Sequence, residues 1–170
     1  MKELIPKYFS FLQDHGFKLS KNKIWDTWFY DAVYAKNDLY IRIDANTHFR
    51  DYPMYFNIIL GEGDTEWPDK DWNAIALWRI AREIDKNTTL KEYPLVTDEK
   101  HLEKTIQKAK EDFLTYHAGF LDGNLGIFRE ARKNMNKNRE PYKIHTPNKD
   151  GSYSVEIDKE SLKLKKKYSE

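Results

Sequence analysis

The alternation of apolar and polar side chains over residues 39–44 and 54–60 limits the fold of this chain more than any other feature. In the first run three aliphatic residues alternate with polar or amphipathic ones, and in the second run apolar residues again stand at every other position. A period of two places successive side chains on opposite faces of a β-strand, so both runs predict half-buried strands. Residues 24–34 are rich in aromatic and β-branched side chains and predict a third strand. The three strands form an antiparallel meander within residues 24–60.

Helical patterns flank these strands on both sides. The apolar residues of 2–15 form a broad stripe, and Gly16 stands where a left-handed residue ends a helix. Apolar residues spaced by three and four predict further helices over residues 71–85 and 98–121, and a shorter one follows over 124–135. The sequence therefore predicts an α+β fold, in which an N-terminal helix and two to three C-terminal helices cover a small antiparallel sheet.

The length of 170 residues favours one domain. We assign residues 1–140 to a single α+β domain. Residues 141–170 contain turns, a short strand at 153–157 and a lysine-rich tail. They are predicted to form a C-terminal extension, packed on the domain or loosely attached to it.

The chain has no cysteine, which excludes disulfides, thiol nucleophiles and cysteine-ligated metals. Neither a secretion signal nor an apolar run of about 18 residues is present. We therefore expect a cytoplasmic protein that does not contact a membrane.

The motifs of the common nucleotide-binding, serine-hydrolase and zinc-protease sites are missing from the sequence. A metal site seeded by His117 with Glu111 or Asp112 is disfavoured, because spacings of six and five do not place ligands on one helical face. The sequence thus predicts no metal and no cofactor, and it favours a protein that is not an enzyme.

Charge is distributed unevenly along the chain. Residues 1–122 carry 17 basic and 21 acidic side chains, a net charge of −4, whereas residues 123–170 carry 12 basic and 7 acidic ones, a net charge of +5. Within the first part, residues 62–71 have a local net charge of −4 and include a tryptophan at position 67. Aromatic anchors inside a charged rim are typical of protein-binding sites, and acidic groups steer a basic partner.

This segment predicts a non-catalytic protein-binding module. The expected contact residues are Glu62, Asp64, Glu66, Trp67 and Asp69. A plainer interpretation stays open, in which the tryptophan packs back onto the sheet and the acids are simply solvated.

In general character the chain resembles the immunity proteins that neutralise basic toxin domains. The resemblance lies in small size, absence of cysteine, an acidic surface bearing aromatic residues, and absence of a catalytic motif. It implies a partner that is another protein, basic in charge, bound through the acidic segment.

A nucleic-acid-binding accessory protein is the first alternative. It would use a basic helix and the lysine-rich tail to contact phosphates. The residues of the helix are Arg129, Arg132, Lys133, Lys137 and Arg139. Acidic residues are interspersed along the same region, so ordinary solvated charge is the competing interpretation.

The second alternative is a small enzyme of unknown class. Arg42, Asp44 and His48 lie at the end of the second predicted strand and in the loop after it, and they would supply an acid–base pair and an anion clamp. This hypothesis requires the three side chains to meet in one pocket.

Overall fold

The structure is a computed structural model that describes residues 3–25, 29–48, 51–63, 72–84 and 99–170. Among these residues, no helix combines the length and the apolar character that a membrane span needs.

Five antiparallel strands form the main sheet, in the order in which they follow along the chain. They are β1 (Lys18–Trp25), β2 (Phe29–Lys36), β3 (Leu39–His48), β4 (Asp51–Glu62) and β5 (Ala74–Ala76). The α+β class and the antiparallel meander are thereby confirmed. The sheet has five strands where three were predicted: residues 24–34, predicted as one strand, belong in part to β1 (24–25) and in part to β2 (29–34), and the short β5 is added beside β4.

The physical reason for the missed strand lies in β1 itself. Residues 18–22 are all exposed, as expected of an edge strand that is solvated on both faces, so they show no alternation. A register shift between Leu19 and Lys21 further breaks the period of two. The sequence does not predict β5 for another reason: it has only three residues, and α3 begins directly after it.

Seven helices and a separate hairpin complete the described chain. The helices are α1 (Leu4–Phe9), α2 (Phe11–Asp14), α3 (Leu77–Ile84), α4 (Glu99–Tyr116), α5 (Ala118–Leu121), α6 (Gly126–Lys137) and α7 (Lys159–Ser169). The hairpin consists of β6 (Lys143–Pro147) and β7 (Tyr153–Ile157), which pair only with each other among the described strands. Gly16 follows α2 with φ of +82°, the left-handed conformation that its position predicts.

One face of the sheet carries the hydrophobic core. Ile41, Ile43, Ile58 and Leu60 are fully buried, and they belong to one cluster with residues of α1, α4 and α6. The helical members include Ile5, Phe9, Ile106, Phe113 and Phe128. Burial of each large apolar side chain is worth about 1.5–3 kcal/mol, so this cluster supplies the main driving force for the fold.

Candidate functional site

The hairpin β6–β7 stands apart from this core. All ten residues of its two strands are exposed. Its base is nevertheless tied to α7. The Asp158 N–H donates to the Tyr142 carbonyl at 2.9 Å, and the Tyr142 N–H donates to Ser161 Oγ at 2.9 Å. The exposed strands are therefore held in place by their base.

The two faces of the hairpin differ in chemistry. Tyr153, Val155 and Ile157 alternate along β7 and thus share one face, with 64%, 52% and 53% of each residue exposed. Ser154 and Glu156 lie on the other face, where the exposed Ile144 of β6 stands opposite Glu156. We call the surface formed by Tyr153, Val155 and Ile157 the hairpin face. A strand with this alternation normally buries its apolar side, and an isolated two-stranded hairpin is at best marginally stable in water.

Local hydrogen bonds order the tip of the hairpin. The Asn148 N–H donates to the Ser152 carbonyl at 2.8 Å, and Gly151 has φ of +83°. Asp150 accepts from the Ser152 N–H at 3.0 Å and from its hydroxyl at 2.6 Å. These hydrogen bonds from Ser152 lower the pKa of the Asp150 carboxyl. Because base and tip are both fixed, little conformational freedom remains to be lost when the hairpin binds.

Four of the five residues predicted for nucleic acid come together beside α7. Arg129, Arg132, Lys133 and Lys137 line a groove of about 420 Å³ between α6 and α7, to which α7 contributes Lys167. Glu130 and Glu170 also line this α6–α7 groove, so its cations are partly balanced.

Two of the five predicted residues, Arg132 and Arg139, pack against aromatic rings of the fold. Arg132 is 7% exposed, and its guanidinium lies 4.9 Å from the Phe128 ring and 4.7 Å from the Tyr168 ring. Arg139 lies over Trp72 at 4.5 Å, with Trp72 itself fully buried. Lys137 remains exposed, and Lys133 donates to the Glu170 carbonyl.

Glu62 is the one residue of the predicted acidic contact that the structure describes. Its carboxylate accepts from Arg129 Nε at 3.2 Å and from an Arg132 guanidinium nitrogen at 3.1 Å. Hydrogen bonding from Arg129, opposed by partial burial, lowers the pKa of Glu62. The other four residues lie outside the described residues, so their role in binding stays a prediction. They are Asp64, Glu66, Trp67 and Asp69.

Arg42 and Asp44 belong to the face of the sheet opposite the core, and His48, predicted in the loop after the strand, is the last residue of β3. Arg42 donates to the two Asp31 carboxylate oxygens at 2.7 and 3.1 Å and lies 3.6 Å from Asp44. Burial raises the pKa of Asp44, and the Arg42 charge opposes that rise. Asp31 joins the pair because the register sets it opposite Asp44. The side chain of His48 lies outside the described residues, so the required meeting of three groups stays untested.

His117 lies between α4 and α5 and is 5% exposed. Burial lowers its pKa to about 4, although a hydrogen bond to the Leu77 backbone favours the charged form. Across the described parts of the chain, no group of three or more His, Asp or Glu side chains is placed to hold a metal ion.

The hairpin face was not predicted from the sequence as a binding surface. The short strand at 153–157 was predicted, but β6 was not, and without its partner strand the alternation of β7 did not indicate a binding surface.

No protein-family model matches the chain, and no curated protein or solved structure matches it either.

Proposed function

We propose that the chain is a non-catalytic protein-binding module and that the hairpin face is its contact surface. The observation that carries the proposal is the exposure of Tyr153, Val155 and Ile157, each more than half exposed on one side of an amphipathic strand. Burial of apolar surface in a complex stabilises that complex by about 25 cal/mol for each Å² removed from water. Clustered apolar exposure on a rigid element is typical of protein-interaction sites.

The charges around the hairpin face limit the chemistry of its partner. Lys143 and His145 stand opposite Ile157 and Val155 in the register, so they share the face, whereas Glu156 belongs to the other side. None of the strand residues on this face is acidic, although the Lys143 ammonium lies 3.6 Å from the Glu140 carboxylate. A complementary partner is therefore a protein with an apolar patch bordered by acidic groups.

We propose the acidic segment, residues 62–71, as a second and separate contact. Glu62 is already engaged by Arg129 and Arg132. Its contact would therefore depend mainly on Asp64, Glu66, Trp67 and Asp69. A basic partner, of the kind that an immunity-type function requires, would be recognised by this segment and not by the hairpin face. Substitution Asp64→Lys would then weaken binding, while Val155→Lys would leave it unchanged.

Site-specific photo-crosslinking tests the hairpin proposal. A benzophenone amino acid is placed at position 155 on the hairpin face, and at position 154 on the opposite face as the matched control. After irradiation in a lysate of the source cells, we expect one discrete protein adduct from position 155 and none from position 154. Excess unlabelled wild-type chain should abolish the adduct, and excess Val155→Lys chain should not.

Other outcomes of this experiment count against the proposal. Equal adducts from both positions, or none from position 155, would show that the hairpin face does not bind a specific protein. An adduct of two copies of the chain would contradict the acidic partner chemistry, and an adduct lost after nuclease treatment would favour nucleic acid.

Nucleic-acid binding is the second candidate function, and the α6–α7 groove is the observation that favours it. Two helices place Arg129, Lys133, Lys137 and Lys167 along one groove. Single-stranded oligonucleotide binding should then weaken with salt, with a slope of about 0.7 for each phosphate neutralised.

The test compares two charge-matched double variants at 50 and 200 mM salt. Lys133→Gln with Lys137→Gln removes two groove cations and should lower the slope by about 1.4. Lys100→Gln with Lys104→Gln removes two exposed cations from α4 and should leave the slope unchanged. No binding at 50 mM salt would exclude this function.

A further inference from the structure

A cavity of about 680 Å³ opens beside β5, and none of its lining residues belongs to the hairpin face. Its walls come from β4 and β5, from the beginning of α3, and from the end of α6 with the residues that follow it. The volume falls within the range of roughly 300–1,000 Å³ that small-molecule sites occupy.

Small and apolar side chains form much of the lining. Ala74 and Ala76 of β5 leave room beside the sheet, and Ile59 stands opposite Ala76 in the register. Met135 and Trp78 add a flexible apolar group and an aromatic ring. An apolar or aromatic ligand body therefore has matching surface on several sides.

The charged part of the lining is positive. Arg79 and Arg139 both line the cavity, and none of the described lining residues is acidic. The Arg139 guanidinium lies 4.5 Å from the Trp72 ring and 5.2 Å from the Tyr142 ring, and it also donates to the Tyr142 hydroxyl. Its planar group is thus oriented before any ligand arrives, which reduces the ordering cost of recognising an anion.

We propose that this cavity binds a small molecule with an aromatic or otherwise apolar body and a single anionic group such as a carboxylate. The apolar lining takes the body, and the two arginines take the anion. The amide side chains of Asn57 and Asn138 also line the cavity and offer further polar contacts. The cavity and the hairpin face share no residue, so different substitutions test the two proposals.

Isothermal titration calorimetry of the full chain with 2-naphthoate and 2-naphthamide tests this inference. The two probes share a ring system and differ in charge. We expect 2-naphthoate to bind with a Kd below about 1 mM and 2-naphthamide to bind at least about tenfold more weakly. Absence of 2-naphthoate binding would overturn the proposal, and equal affinity for both probes would overturn the assignment of an anion.

Variants locate the binding. Ala76→Phe fills the cavity and should abolish 2-naphthoate binding, with the melting temperature as the check on folding. Arg79→Met should weaken binding about tenfold, whereas Arg82→Met removes an exposed arginine of the same helix outside the lining and should change it less than twofold. Should Ala76→Phe not fold, the two arginine variants still decide, since equal effects from both would place the probe elsewhere.

Discussion

At the scale of single residues, Gly61 shows how tightly a side chain of β3 packs over the backbone of β4. It stands opposite Tyr40 in the register, and a Cβ atom at position 61 would lie 2.0 Å from Tyr40 Cζ. The Tyr40 ring crosses this space, and its hydroxyl donates to Asn73 Oδ1 at 3.2 Å. Glycine is required here because an aromatic ring occupies the position of its missing side chain.

Substitution Gly61→Ala should therefore lower the free energy of unfolding by about 1–3 kcal/mol, the usual range for overpacking. Urea denaturation measures the change. Gly126→Ala is the control, since a Cβ at that helical position meets no atom closer than 3.8 Å. A Gly61→Ala variant as stable as wild type would contradict the close approach of Tyr40.

His117 makes the fold sensitive to acid. Its imidazole is buried next to Phe113, and within the described structure its Nε2 has no hydrogen-bond partner. Burial lowers the pKa of His117 to about 4. The unfolded chain binds a proton near pH 6.5, so between pH 6.5 and 4 it holds more protons than the folded chain, and stability falls as the pH falls.

Between pH 7 and pH 5 the wild-type chain should lose ~2 kcal/mol more stability than His117→Gln, which keeps a hydrogen-bond donor and does not titrate. Urea denaturation of both proteins at the two pH values gives this difference, and other titrating groups cancel between them. Parallel pH dependences would show that His117 is not a buried neutral group.

At the scale of elements, charged side chains join β4 to α6. Glu62 at the end of β4 accepts from Arg129 and Arg132, and Arg132 also donates to the Asn73 carbonyl at 3.3 Å. The two arginines differ in burial, because the Arg132 side chain is 8% exposed and the Arg129 side chain is 56% exposed. Only Arg132 is buried deeply enough that its charge needs the Glu62 carboxylate as a partner.

Substitution Glu62→Gln should cost roughly 2 kcal/mol of stability. That is less than the 3–5 kcal/mol of a fully buried pair, because the carboxylate keeps some contact with water. Arg129→Ala removes the exposed partner and should cost under about 1 kcal/mol. Thermal unfolding of both variants distinguishes them, and equal losses would mean that the burial of Arg132 does not set the cost.

The elements also show what the sequence can predict. Strands β3 and β4 were predicted because aliphatic side chains on the core face alternate with polar or amphipathic ones on the other face, such as Arg42, Asp44 and Asn57. Helix α7 was read as a lysine-rich tail, since the part that it buries is small and includes the fully buried Ser161. The inward roles of Arg132 and Arg139 could not be predicted, because their partners Glu62 and Trp72 lie 67 to 70 residues away in sequence.

At the scale of the whole molecule, the core and the proposed contact surface occupy separate parts of the chain. The core cluster runs from α1 to α6, and the hairpin follows it. Residues 123–170, which contain the hairpin, carry a net charge of +5, opposite in sign to the remainder. Binding and stability should therefore respond to different substitutions.

Val155→Lys should change the free energy of unfolding by less than about 0.5 kcal/mol, as expected for an exposed position. Urea denaturation beside Ile58→Lys, which places a charge in the core, provides the contrast. A large loss of stability in Val155→Lys would mean that the hairpin face packs against the chain itself.

The affinity of the crosslinked partner for three forms of the chain decides whether the hairpin face is the contact surface. Wild type, Val155→Lys and Ser154→Lys are compared by biolayer interferometry at one salt concentration. The two variants add the same charge to opposite faces of β7. We expect at least about a tenfold loss of affinity for Val155→Lys and less than a twofold change for Ser154→Lys. Equal affinities for both variants would contradict the assignment of the hairpin face as the contact surface.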